Sequence, residues 1–314
     1  MAMTVAAVTK GMERAEWLKL RQRGIGGSDA AAVAGMNPWK SPVGVYLEKT
    51  GQIVPPEAGE AAYWGNQLED VVAREFATRS GFKIQRSNKL YRHKEHPFML
   101  GNVDRLITDG SKRRGILEVK TTNAWAGADW DDGKIPDHYA IQLQHYMAVL
   151  GLDYGFFAVL IGGNRFEERY VERDETLIKT LIGIEREFWT ENVLKGVPPI
   201  VDGSGASTDL LNYLYPTSRP EHVVQLGVKD EPLIGELRAA KAAAEAAEER
   251  FEAVKNALKA EMKDAEAALL NGEKVASWKS SSRTALDTKA VKAELPEIYE
   301  KYARTSSSRR FLVH

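Results

Sequence analysis

The sequence predicts an α/β fold: a central β-sheet flanked by helices, followed by an appended long C-terminal helix with a small α+β module. Short apolar runs with period-two alternation are separated by longer stretches with helical spacing, the pattern of a sheet covered by helices. The runs Phe98 to Ile107 and Gly115 to Val119 flank the turn signal Thr108-Asp109-Gly110-Ser111, which predicts two adjacent strands. From Glu231 the composition shifts to Ala, Glu and Lys, with apolar positions four and three apart, the signature of a coiled-coil seam. These shifts place a first domain at 1–200, a linker at 201–226 and the appended module at 227–314.

The 314 residues contain 43% hydrophobic side chains, enough for a proper core, and carry a formal net charge of -1. A polyanionic partner would therefore have to be met by locally concentrated cations. Cysteine is absent, which removes disulfides, thiolate zinc sites, iron–sulfur clusters and cysteine nucleophiles together. The longest apolar run, Phe156 to Ile161, is too short to span a bilayer, and the expected location is cytoplasmic, with no membrane partner.

In chain order, residues from about Met12 to Gly35 read as two helices joined at Gly24-Ile25-Gly26-Gly27, with Ser28 as the N-cap of the second and Gly35 as its stop. Free helix N–H groups, the Ser28 hydroxyl and Arg21 would form a phosphate-accepting corner, or simply a capped helix. A helix capped by Ser41 with Pro42 at its first position ends at Gly51. Another spans about Ala61 to Arg79, with Leu68, Val71, Val72 and Phe76 as its buried stripe and Glu69 at the edge, either solvated or a third acid of a site. The stretch Lys83 to Lys94 holds five Lys or Arg and no acid. It reads as a phosphate-backbone track or as a solvated edge strand.

Beyond Lys120, a helix from about Asp137 to Leu150 puts Tyr139, Gln142 and Tyr146 on one face. Strands at Tyr154 to Ile161 and Phe166 to Val171 follow, then a helix from Asp174 to about Leu194 burying Leu177, Leu181, Ile184 and Phe188. The C-terminal seam from Leu233 to Leu258 is expected to continue, after one shift, through Met262, Ala265 and Leu269 and to end at Asn271-Gly272. A strand-like stretch from Lys274 to Ser282, a helix from Asp287 to Tyr302 interrupted by Pro296, and a strand from Arg309 to Val313 complete the module.

Chemistry concentrates at Gly101 to Lys120. Glu118 and Lys120 share one strand face, and strand twist can bring Asp104 near Glu118. Converging carboxylates call for a cation between them, and hard oxygen ligands suit magnesium or manganese. A lysine beside them suits metal-assisted phosphodiester hydrolysis, by holding or deprotonating a water and neutralising charge on the phosphate. An ordinary charged hairpin face would show the same residues.

The order of helix with Glu69, strand with Asp104, strand with Glu118-Val119-Lys120 and helix with Gln142 resembles the restriction-endonuclease-like PD-(D/E)XK core, which implies a central mixed β-sheet flanked by helices. The segments WLKLRQRGIGGS, WGNQLE, GNVD, LEVK and YAIQLQHY are similar to those of the lambda-exonuclease and YqaJ-type viral recombinase family. The resemblance covers roughly Trp17 to Val197, with Val103 where the family's name has proline. It implies that Asp104, Glu118 and the Val119 carbonyl hold Mg2+ or Mn2+, that Lys120 positions or deprotonates the attacking water, and that Glu69 assists a second metal. It also implies that Gln142 and Tyr139 orient the site and the substrate strand, with Tyr146 and Trp17 among the substrate contacts, while Arg21 and Ser28 bind the 5′-terminal phosphate. The activity implied is a 5′-to-3′ exonuclease on double-stranded DNA ends. It would leave 3′ overhangs for phage-type recombination, as a homo-oligomeric ring such as a trimer, beside a single-strand annealing protein in a bacterial host cell. A non-catalytic DNA-end-binding or scaffold protein, and a helicase-linked or CRISPR-associated nuclease, are the alternatives.

Overall fold

The computed structural model describes residues 3–57, 59–304 and 309–313. The chain divides into two compact units, Met1–Leu214 and Tyr215–His314.

The first unit is built on a five-stranded mixed sheet of β3 (Lys83–Arg86), β6 (Arg105–Thr108), β7 (Arg114–Thr122), β8 (Tyr154–Ile161) and β9 (Arg165–Glu172). The strands lie side by side in that order, with β7 and β8 parallel and the other pairs antiparallel. Strand alternation then assigns the two faces. Ile107, Leu117 and Val119 pack under Val72, Ala73 and Phe76 of α4 (Glu60–Ser80), while Leu106 and Ile116 pack under Leu143, Tyr146 and Met147 of α5 (Asp137–Leu150). Each such fully buried large apolar side chain contributes about 1.5–3 kcal/mol. Val71, expected in the α4 stripe, is 51% exposed, since the stripe runs through Val72, Ala73 and Phe76 instead.

A second, four-stranded sheet comes from segments that sequence patterning did not separate. It orders β1 (Met3–Val8), β4 (Lys89–His93), β5 (Met99–Gly101) and β2 (Ile25–Gly26). The basic stretch Lys83 to Lys94 is therefore two strands in two sheets, crossing over at Ser87-Asn88. The run Phe98 to Ile107 is also two strands, and Asp104 lies at the break between them.

Helices α1 (Arg14–Arg21), α2 (Gly27–Val33) and α3 (Pro42–Lys49) precede α4. Ser41 caps α3 as expected, its Oγ accepting from Gly44 N. Ser28 does not cap α2: the N-cap is Gly26, whose N–H donates to the Asp29 carboxylate at 3.2 Å, leaving Ser28 exposed in the first turn. Gly35 takes φ 71° just past the helix, as its stop role requires.

After β9, α6 (Glu175–Glu187) continues as a π-helical turn through Val193. It buries Ile178, Leu181 and Phe188, while Ile184 is exposed. His145 of α5 binds Glu185 of α6 through Nδ1 and the Leu100 carbonyl through Nε2, so one buried imidazole ties α5 to α6 and β5. Within the expected linker, α7 (Gly205–Leu214) belongs to this unit, with Leu210 lying 3.9 Å from a Cβ placed on Gly44 of α3.

In the second unit, α8 (Glu231–Met262) is a single 32-residue helix with Leu233, Phe251, Val254 and Leu258 exposed along its seam. It ends at Met262 rather than running on to Asn271, because Lys263 turns to φ 52°. Residues 267–277 instead form the hairpin of β10 (Ala267–Leu270) and β11 (Glu273–Ser277) around Asn271-Gly272. Two helices, α9 (Thr288–Glu294) and α10 (Pro296–Tyr302), meet at Pro296. The strand expected at Arg309–Val313 is irregular chain.

Candidate active site

Register carries the acidic cluster. Pairing of β6 with β7 ends at Arg105 opposite Leu117, so the β7 edge beyond Leu117 is open, and Asp104 Oδ2 accepts the Val119 N–H there at 2.9 Å. A strand residue directs its N–H and C=O to the same edge, so the Val119 carbonyl faces the Asp104 side as well. With Val119 packed under α4, alternation turns Glu118 and Lys120 toward α5.

On that face Gln142 Nε2 donates to Glu118 Oε1 at 2.8 Å, and Lys120 Nζ donates to the same oxygen at 3.1 Å and to Gln142 Oε1 at 3.2 Å. The other oxygen, Glu118 Oε2, is buried with no hydrogen-bond partner. Burial and the neighbouring Asp104 push the Glu118 carboxyl up to about 8, against the pull of Lys120. Burial likewise raises Asp104. Lys120 is held above its ordinary value because Glu118 and Asp104 outweigh the effect of burial.

Tyr139 lies beneath Lys120, whose Nζ stands 4.8 Å from the ring centroid, and stacks on Trp130. Tyr146 is buried, and its hydroxyl is engaged by Gln142, so it anchors the glutamine instead of lining an opening. Glu69 does not join the acids directly. It is bound by the buried Arg105, which also reaches Asp70, and Arg86 approaches it at 3.6 Å. Among the described residues no group of three His, Asp or Glu side chains is close enough to hold a metal ion. The available set is two carboxylates and a backbone carbonyl.

The Arg21 and Ser28 corner forms beside this cluster. Arg21 Nη2 donates to Ser28 Oγ and to Asp29 Oδ1, both at 3.0 Å. Asp29 is fully buried under Arg21, Lys40 and Lys49; their charges override its burial and hold its carboxyl well below the usual range. Trp17, Arg21, Ser28, Lys40 and Lys49 line a pocket of about 260 Å³. Gly27 joins the two places, because a Cβ there would fall 2.4 Å from the Tyr146 ring, so only glycine lets α2 pack this closely on α5.

Sequence reasoning missed Asp29, Lys40, Lys49 and Arg105. The only signal for the first was an acid three residues after Gly26, and the partners of Arg105 lie on another element. His138 was missed too; its ring meets Trp39 edge-on, and its Nε2 is buried without a partner.

A mixed sheet with Asp104 at a strand break, Glu118 and Lys120 alternating on the next strand, and flanking helices carrying Glu69 and Gln142 defines the PD-(D/E)XK fold class. The likeness to a solved structure agrees: the alkaline exonuclease LHK-Exo of Laribacter hongkongensis superposes with TM-score 0.50 at 21% identity, over 58% of this chain and 94% of that one. The same enzyme in complex with dAMP gives the same TM-score at 20% identity. More particularly, the chain belongs to the YqaJ-like viral recombinase family. Residues 16–153 match that domain. The chain is 41% identical over 310 residues to the YqaJ protein of Bacillus subtilis (strain 168), spanning 98% of this chain and 96% of that protein. Protein R354 of Acanthamoeba polyphaga mimivirus is 23% identical over 148 residues, covering 44% of this chain and 27% of that one.

Proposed function

We propose that this protein is a magnesium-dependent exonuclease that degrades one strand of duplex DNA from its 5′ end, leaving a 3′ overhang for recombination by strand annealing. The observation that carries the reading is Glu118 Oε2, a buried carboxylate oxygen without a partner on a strand that Asp104 also reaches. A carboxylate with that deficit, next to another acid, fits a hard divalent cation held by Asp104, Glu118 and the Val119 carbonyl. When bound, the cation supplies Lewis acidity at the scissile phosphate.

The chain's own groups do the rest. Lys120 keeps its proton between Glu118 and Gln142, where its ammonium offsets charge developing on the phosphate and holds the attacking water. Gln142, fixed by Tyr146, keeps Lys120 and Glu118 in register, and Tyr139 shapes the floor under Lys120. Glu69, engaged by Arg105, acts as a positioning residue that sets the charge around Asp104. In the adjacent pocket Arg21 and Ser28, with Trp17 and Lys40, receive the 5′-terminal phosphate. Family likeness supports a ring-shaped homo-oligomer and an annealing partner. Among the described residues no helix is long and apolar enough to cross a membrane.

The test is digestion of linear duplex DNA with and without Mg2+, comparing 5′-phosphorylated with 5′-hydroxyl ends. Metal-dependent nucleotide release from the 5′ strand, favoured by the phosphate and lost in Lys120→Ala, is the expected result. DNA that is bound but left intact would replace the exonuclease with an end-binding protein.

A further inference from the structure

The crossover between the two sheets leaves a cavity that the catalytic reading does not use. It lies where β3 passes into β4 at Ser87-Asn88, holds about 220 Å³, and is lined by Lys10, Arg86, Lys89 and Arg114 together with the polar side chains of Gln85 and Asn88. Among the described residues no carboxylate lines it. Some exposed cations of this unit are neutralised nearby, as Arg79 is by Glu75, Arg113 by Asp109 and Lys195 by Glu191, and others, such as Lys19 and Lys83, stand apart from any acid among the described residues. Lys10, Lys89 and Arg114 are exposed, and among the described residues their side chains have no ion pair or hydrogen bond. Arg86 alone reaches an acid, Glu69, at 3.6 Å.

Three unpaired cations around one concavity repel one another, a cost that an anion seated among them relieves. The chain positions them from three separate elements. The Val8 to Lys89 pairing of β1 with β4 brings Lys10 beside Lys89, and Arg114 begins β7. Arg114 lies on the same sheet face as Glu118, four residues away, which is about 13 Å along a strand.

We propose that this pocket binds a backbone phosphate of the DNA duplex outside the reactive centre, as a second anchoring site. The inference rests on the nuclease reading for the identity of the polyanion, and its placement argues for DNA: an anchor about 13 Å from the acids lies within reach of the same duplex. The Arg114 guanidinium offers a fork to phosphate oxygens, the two lysines add charge, and the amides of Gln85 and Asn88 supply neutral donors. Such a contact fixes where the duplex lies and carries no sequence preference.

The test measures duplex binding to the full chain in EDTA, without turnover, as a function of salt, for wild type and a Lys10→Ala/Lys89→Ala/Arg114→Ala variant. Arg86 is left intact because it touches Glu69. A control variant, Lys179→Ala/Arg186→Ala/Lys195→Ala, removes equal charge elsewhere, and thermal unfolding checks that each variant folds. Each phosphate contact adds about 0.9 to the slope of log affinity against log salt, so the pocket variant should lose about 1 in slope and the control much less. Single Arg114→Glu should shift the slope in the same direction, and Arg114→Lys should restore most of it. Equal slopes for wild type and pocket variant overturn the proposal, as does an equal loss in the control, which would reduce the effect to net charge. Unchanged duplex binding with lost binding of a polyglutamate peptide would also overturn it, by assigning the pocket to an acidic protein. Failure of the nuclease reading shows separately, as absence of hydrolysis in Mg2+ while the salt slopes keep their difference.

Discussion

The two charged clusters of the first unit use the same residue types with the balance reversed. Around Glu118, two acids share one lysine and leave a carboxylate oxygen without a partner. Around Asp29, three cations surround one buried acid, and its two oxygens are both engaged. The first arrangement lacks positive charge and suits a cation; the second has it in surplus and suits an anion. The same difference separates their contributions to stability, because a carboxyl pushed up by its surroundings opposes folding once ionised, whereas one held down supports it.

The largest effect expected from breaking this contrast is on hydrolysis. Lys120→Ala removes the cation bound to Glu118 and should lower kcat by about 10²–10³-fold or more in a duplex digestion assay, with binding in EDTA little changed. Next comes Asp29→Ala, which leaves Arg21, Lys40 and Lys49 crowded without their counter-ion and should cost about 3–5 kcal/mol in urea unfolding. Arg21→Ala acts on the anion side, and the preference for 5′-phosphorylated over 5′-hydroxyl ends, measured as kcat/KM, should fall by about 10–100-fold.

The smallest effect sharpens the contrast through pH. Glu118 is raised to about 8, so its favourable contribution is present below its unfolded value of about 4.3 and is lost as pH rises toward 8. Asp29 is depressed, so its contribution is present above about 3.9 and is lost as pH falls through its lower folded value. Glu118→Gln should therefore raise the Tm of metal-free protein at pH 8 by about 5 °C while leaving it unchanged at pH 4. Added Mg2+ should stabilise wild type and not this variant, and a Tm that falls at both pH values would remove the strain assigned to Glu118.

What the sequence disclosed follows from the range of the interactions. Glu118 and Lys120 were legible because strand alternation is local, and Asp104 because it sits before a turn flanked by apolar runs. The crossover at Ser87-Asn88 was not, since the four- and five-residue strands on either side are too short for alternation to separate them. Helix α8 was over-extended because the apolar spacing resumes after one shift through Met262, Ala265 and Leu269, and Lys263 gives no glycine or proline signal at the bend. The Asp29 cluster was hidden because its cations come from positions 8, 11 and 20 residues away, on other turns and helices.

Gly27 gives the contact between α2 and α5 a further meaning. Through Tyr146 and Gln142, the corner holding Arg21 and Ser28 is braced directly against Glu118 and Lys120. On the proposed reading the protein therefore carries a fixed gauge: the distance from the gripped strand terminus to the bond being cut is set by packed side chains, so each cycle would remove a piece of the same length. A larger residue at Gly27 would blur that gauge, and the fault would show as a mixture of product sizes before it showed as slower cutting.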